Sequence, residues 1–67
     1  MTQSLYERNQ LLIELTQTKE DMDQAFRQLN YAADPILVDS AIHQIEAAQL
    51  RYQYLLRQIR SLEPPDK

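Results

Sequence analysis

Apolar residues recur through the second half of the chain at alternating steps of three and four: Val38, Ala41, Ile45, Ala48, Tyr52, Leu55, Ile59 and Leu62. No charged residue interrupts the series, and Ile42 and Leu56 broaden it. That spacing follows a 3.6-residue turn and not a two-residue alternation, so it predicts one amphipathic helix over about 36–62. In the first half Leu5, Leu12, Leu15, Met22, Phe26 and Leu29 fall on a comparable seam, with Arg8 and Lys19 as its two polar interruptions. Leu11 and Ala25 widen it on one side, while Gln3, Gln10, Gln17 and Gln24 recur every seven residues on the opposite, wet face. A first helix over about 4–30 is expected. Its weak point is Thr16-Gln17-Thr18, because β-branched residues lose rotamer freedom in a helix and Thr18 with Asp21 could cap a new one. The seam passes through without a change of phase, so one helix is predicted.

Between the two seams lies Asn30-Tyr31-Ala32-Ala33-Asp34-Pro35, where helical periodicity must stop. Proline lacks a backbone N–H and keeps the residue before it out of the α conformation, so Pro35 opens a helix more readily than it continues one. Asp34 is then the N-cap and Pro35 the first helical residue. The chain has no glycine, which leaves Asn30 as the residue best able to close the first helix in the left-handed conformation. Ser4-Leu5-Tyr6-Glu7 reads as a capping box at the other end of that helix. Residues 63–67, with two consecutive prolines, end the second helix and are expected to form a disordered tail.

These elements predict an all-α, antiparallel two-helix hairpin with its turn at 31–35. In such a pair the numbers of facing residues add to a constant, here 67. Leu29 then faces Val38, Phe26 faces Ala41, Met22 faces Ile45, Leu15 faces Tyr52, Leu12 faces Leu55, and Leu5 faces Leu62; a shift of one turn would also keep the apolar faces together. Lys19 falls opposite Ala48 and Arg8 opposite Ile59, where long stems can cover an apolar neighbour and keep the charge in water.

A chain of 67 residues is one domain near the lower size limit for folding alone. It has no cysteine and therefore neither disulfides nor a thiolate metal site. No apolar run reaches the length of a membrane span and no signal-peptide pattern precedes the first helix, so the expected setting is cytoplasmic. A formal charge of −3 and a pI near 4.9 argue against a protein that coats nucleic acid or anionic lipid.

His43 is the sole histidine, with Asp39 and Glu46 one turn to either side. That trio could contribute to a metal site only if further ligands came from elsewhere, and a solvated helix face is the simpler account. Glu20, Asp21 and Asp23 lack the glycine turn and the oxygen spacing of a calcium loop. Arg51, Arg57 and Arg60 make the end of the second helix basic and, with Tyr54, offer a possible nucleic-acid contact; cations there also suit the helix dipole. Tyr52 on the seam reads as a core ring. No nucleophile with a base, phosphate-cradling loop or paired-carboxylate cleft is present, so neither catalysis nor a cofactor is expected. One hairpin contact cannot cover Tyr6, Leu11, Ile13, Tyr54 and Leu56, and an uncovered patch of that kind marks a partner surface. The expected partner is a second copy, two hairpins forming a four-helix bundle.

The run from Leu29-Asn30 through Asp34-Pro35-x-Leu37-Val38-Asp39-x-x-Ile42, followed by Ala47-Ala48-x-x-x-Arg51-Tyr52-x-Tyr54-Leu55-Leu56, resembles the YaaL-like family. These are short bacterial proteins with a domain of unknown function, and the similarity extends from about Leu12 to Arg60. The resemblance implies a cytoplasmic bacterial protein and brings no catalytic or ligand-binding residue with it. His43 stands where the family usually has an aromatic residue, which speaks against a histidine-based site. The reading that follows is an interaction or scaffold module that self-associates; the alternative is a nucleic-acid-associated accessory module using the three arginines.

Overall fold

A computed structural model describes the backbone of residues 2–62 and the side chains of residues 5–62. Two helices account for nearly all of it, α1 at Thr2–Tyr31 and α2 at Pro35–Leu62, packed along one another in a hairpin. The predicted tail lies outside the described residues. The molecule is a single layer of two helices, with extents of 51 × 19 × 13 Å.

The joint is built from the aspartate and the proline. Asp34 Oδ1 accepts the backbone N–H of Ile36 at 2.8 Å, and the Asp34 carbonyl accepts the N–H of Val38 at 3.0 Å to begin the helical ladder. Pro35 occupies the first helical position, where a missing N–H costs nothing. Asn30 does not close α1 as expected: the helix runs one residue past it to Tyr31, and no described residue has positive φ. The three residues 32–34 make the reversal without a left-handed residue. The position before Pro35 favours extended backbone, and that already leads the chain out of the helix. At the other end α1 begins at Thr2, so Ser4 lies within the first turn and not at the N-cap.

No break occurs at Thr16-Gln17-Thr18. Both threonine hydroxyls turn back along the helix, Thr16 donating to the Leu12 carbonyl at 3.1 Å and Thr18 to the Glu14 carbonyl at 2.8 Å. Their capping capacity is therefore used inside the helix and does not compete with it.

The seam of α2 packs as its spacing predicts. Ala41, Ile45, Leu55 and Ile59 are buried, and Val38, Ala48, Tyr52 and Leu62 are half-buried. The seam of α1 is rolled relative to the prediction. Leu15, Met22 and Leu29 do face α2, but the column beside them is Leu11, Thr18, Ala25 and Ala32, with Thr18 and Ala25 each 2% exposed. The expected column of Leu5, Leu12, Lys19 and Phe26 lies outside, Leu5 and Phe26 being 59% and 45% exposed. The expected facings place Leu5, Leu12, Lys19 and Phe26 within the contact, and the structure leaves all four exposed. The roll is about 50°, one seventh of a revolution. Two physical reasons favour it. The observed column is uncharged throughout, whereas the alternative would press the Lys19 ammonium into the contact at a desolvation cost. Thr18 and Ala25 are also small, as are Ala41 and Ala48 on α2, so the helix axes can approach where a phenylalanine would hold them apart.

Candidate functional site

The hairpin has two flanks of opposite character. On one flank an open groove of about 360 Å³ runs between the helices, lined by Thr18, Asp21, Gln24, Ala25 and Gln28 of α1 and by Gln44, Ala47, Ala48 and Arg51 of α2. A hollow of about 270 Å³ continues it toward Glu14 and Gln17, and there Arg51 shares the wall with Glu14 and Asp21. Nearer the open end Tyr6, Glu7, Gln10 and Leu11 meet Gln58 and Leu62 around a further hollow of about 420 Å³. Amides and charges dominate the first two hollows, and water suits them, whereas Tyr6, Leu11 and Leu62 make the third mostly apolar.

The other flank follows from helical geometry. Asp21 and Gln28 stand three residues beyond Thr18 and Ala25, as Gln44 and Arg51 stand three beyond Ala41 and Ala48, a rotation of about −60° from the buried columns. Leu12 and Phe26 stand one residue beyond Leu11 and Ala25, and Ile42 and Leu56 one beyond Ala41 and Leu55, a rotation of about +100°. Because the helices are antiparallel and face each other, equal rotations bring both sets to the same side. Leu5, Leu12 and Phe26 of α1 thus lie beside Ile42 and Leu56 of α2 on the face away from the glutamine groove. All but the half-buried Leu56 are exposed. Lys19 and Gln49 occupy the middle of this face and divide its apolar surface into two ends.

The residues expected to mediate association do not form one patch. Leu11 is half-buried in the hairpin contact and shares its hollow with Tyr6. Ile13 projects from the back of α1, about half a revolution from its seam, and is 51% exposed. Tyr54 lies on the glutamine-groove side of α2, and only Leu56 belongs to the apolar flank. The signal that could have separated these positions was their rotation from the buried columns, which depends on knowing which α1 column is buried.

The arginines are likewise dispersed. Arg51 stands in the groove beside acidic groups, Arg57 and Arg60 are exposed, and Arg60 is half a revolution from Arg51 around α2. Each therefore addresses a different direction. Arg60 sits in the last turn of α2, where the helix dipole favours a cation. His43 Nδ1 lies 3.4 Å from Glu46 Oε1 with both side chains largely in solvent, and Asp39 is not drawn into the pair. Among the described residues no group of three or more histidines, cysteines and carboxylates is placed to hold a metal ion. No described helix is long and apolar enough to cross a membrane. Tyr52 is a half-buried seam residue.

No curated protein and no solved structure matches the chain. A family model described as a protein of unknown function, DUF2508, matches residues 3–63. This span holds both helices and the Asp-Pro joint between them, so the chain belongs to the DUF2508 family, the YaaL-like proteins whose motifs its sequence carries.

Proposed function

We propose that this protein is a non-catalytic interaction module that self-associates, two hairpins stacking into a four-helix bundle. The observation that carries the reading is how little of the apolar content a single hairpin buries. Among the described residues the buried apolar ones are Ala25, Ala41, Ile45, Leu55 and Ile59, two of them mere alanines, whereas Leu5, Leu12, Phe26 and Ile42 remain exposed along one flank. Stable domains enclose their core between at least two layers of secondary structure, and one layer of two helices does not. A second hairpin would supply the missing layer. The groove favours no chemistry: its hydroxyl, on Thr18, is bonded to the Glu14 carbonyl, and Glu14, Asp21 and Arg51 are exposed.

Sedimentation equilibrium at micromolar concentration tests the proposal. The expected result is a helical species of about twice the 7.9 kDa chain mass. A folded species at the chain mass itself refutes it.

A further inference from the structure

We infer that the face bearing Leu12, Phe26, Ile42 and Leu56 docks a second copy of this chain in reversed orientation, with a two-fold axis through Lys19 and Gln49. The inference rests on the self-association reading and adds to it the surface and the direction. Three observations carry it. The first is size: a face about 51 Å long and 19 Å wide has an outline of roughly 1,000 Å², against the roughly 800 Å² per partner of a stable interface. The second is the order of residues along the face, apolar, polar, apolar on both helices. Rotation about the middle sets Phe26 on the partner copy's Leu12 position and Ile42 on its Leu56 position, so each apolar end covers the other.

The third observation is charge, and it selects the reversed arrangement and a second copy as the occupant. The outer edge of the face on α2 carries Asp39, Glu46, Gln53 and Arg60, each one residue beyond a seam position and all exposed. The edge is acidic near the turn and basic at the far end. Reversal brings Asp39 of each copy beside the Arg60 position of the other, twice per dimer. Alignment in the same direction would instead bring Asp23 on the α1 edge toward Glu46, a like-charge approach. Lys19 meets its own counterpart at the axis, where its stem covers apolar neighbours and its ammonium reaches water.

The test measures the dissociation constant of the full chain and of three variants by sedimentation, with helicity followed by circular dichroism. Phe26→Glu should weaken association more than about a hundredfold, since it sets a carboxylate on an apolar face. Gln24→Glu, in the opposite groove, should stay within about threefold, as changes away from an interface do. Lys19→Leu should tighten association about tenfold or more, because it removes two like charges and adds apolar surface. This gain cannot come from misfolding, so it decides the matter even where Phe26→Glu fails to fold. A dimeric parent whose affinity Lys19→Leu leaves unchanged or weakens, or in which Gln24→Glu is as damaging as Phe26→Glu, overturns the docking face while self-association survives. A monomeric folded parent overturns both.

Discussion

Removal of the Asp34 side chain isolates the energetics of the hairpin joint. In Asp34→Ala the N–H of Ile36 loses the acceptor that now lies at 2.8 Å. Loss of an N-cap of this kind costs about 1 kcal/mol, within a range of roughly 0.5–2. The carboxylate also opposes the positive end of the α2 dipole, which is worth a further 0.3–1 kcal/mol or about that at low salt. The expected destabilisation is therefore about 1.5–2 kcal/mol at low ionic strength, nearer 1 in high salt, where the charge contribution is screened. For a chain of this size each kcal/mol lowers the melting midpoint by about 4–8 °C. Asp34→Asn keeps an acceptor and loses the charge, so it should recover most of the cap and lose salt dependence. Thermal unfolding followed at 222 nm checks this, with all variants at one protein concentration because association would itself shift the midpoint. The reasoning is refuted if Asp34→Ala unfolds within a degree of the parent, or if the asparagine and alanine variants are equally destabilised.

Leu55 is 1% exposed and Leu50 is 68% exposed; truncation of Leu55 to alanine should cost about 2–5 kcal/mol, and of Leu50 less than about 0.5 kcal/mol, in urea unfolding. Comparable losses would show that α2 presents a different face to α1. Thr18→Val should be neutral or stabilising by about 0.5 kcal/mol in the same assay, because the Glu14 carbonyl keeps its ladder bond from the Thr18 N–H when the hydroxyl is lost. A loss above about 1 kcal/mol would show that the hydroxyl bond is needed. On the reversed docking, Asp39→Lys should weaken association several-fold, and adding Arg60→Asp should restore much of it, since exposed pairs contribute about 0.2–1 kcal/mol each and occur twice. Additive losses in the double variant, read by sedimentation, would exclude that pairing.

The two helices and the joint between them were legible because local chemistry determines them. Proline and aspartate act within a turn of their own positions, and the α2 seam contains no competing choice: its flanking positions are broken by Gln49 and by charges, so only one column pair reads as continuous. The Asn30 expectation failed because it assumed that the first helix needs a left-handed residue to end, whereas an extended link before proline suffices. The dispersal of the expected association residues around the hairpin has a different origin. Tyr6, Ile13 and Tyr54 attract attention by size, but the direction a side chain takes depends on the roll of its helix, and size does not set roll. What sets it is which column tolerates close approach, and the small residues Thr18 and Ala25 look unremarkable beside Leu12 and Phe26.

That ambiguity in α1 has a structural meaning. The helix carries three adjacent columns: Leu11, Thr18 and Ala25; then Leu15, Met22 and Leu29; then Leu5, Leu12 and Phe26. Any two neighbours form a valid seam, and the middle column belongs to both. A helix in an isolated hairpin has one neighbour and needs two columns; a helix in a four-helix bundle has two neighbours and needs three. On α2 the column Val38, Ile45, Tyr52 and Ile59 is shared in the same way, between the buried Ala41 column and the open pair Ile42 and Leu56. The intramolecular contact takes the seam whose distinguishing column, Leu11, Thr18 and Ala25, is uncharged and includes small residues, which permits close approach within one chain. The seam left open is bulkier, tolerates a lysine at its centre, and lies at the same height on both helices. A pattern that supports two seams at once is what a helix requires when one face folds the chain and the next face binds another.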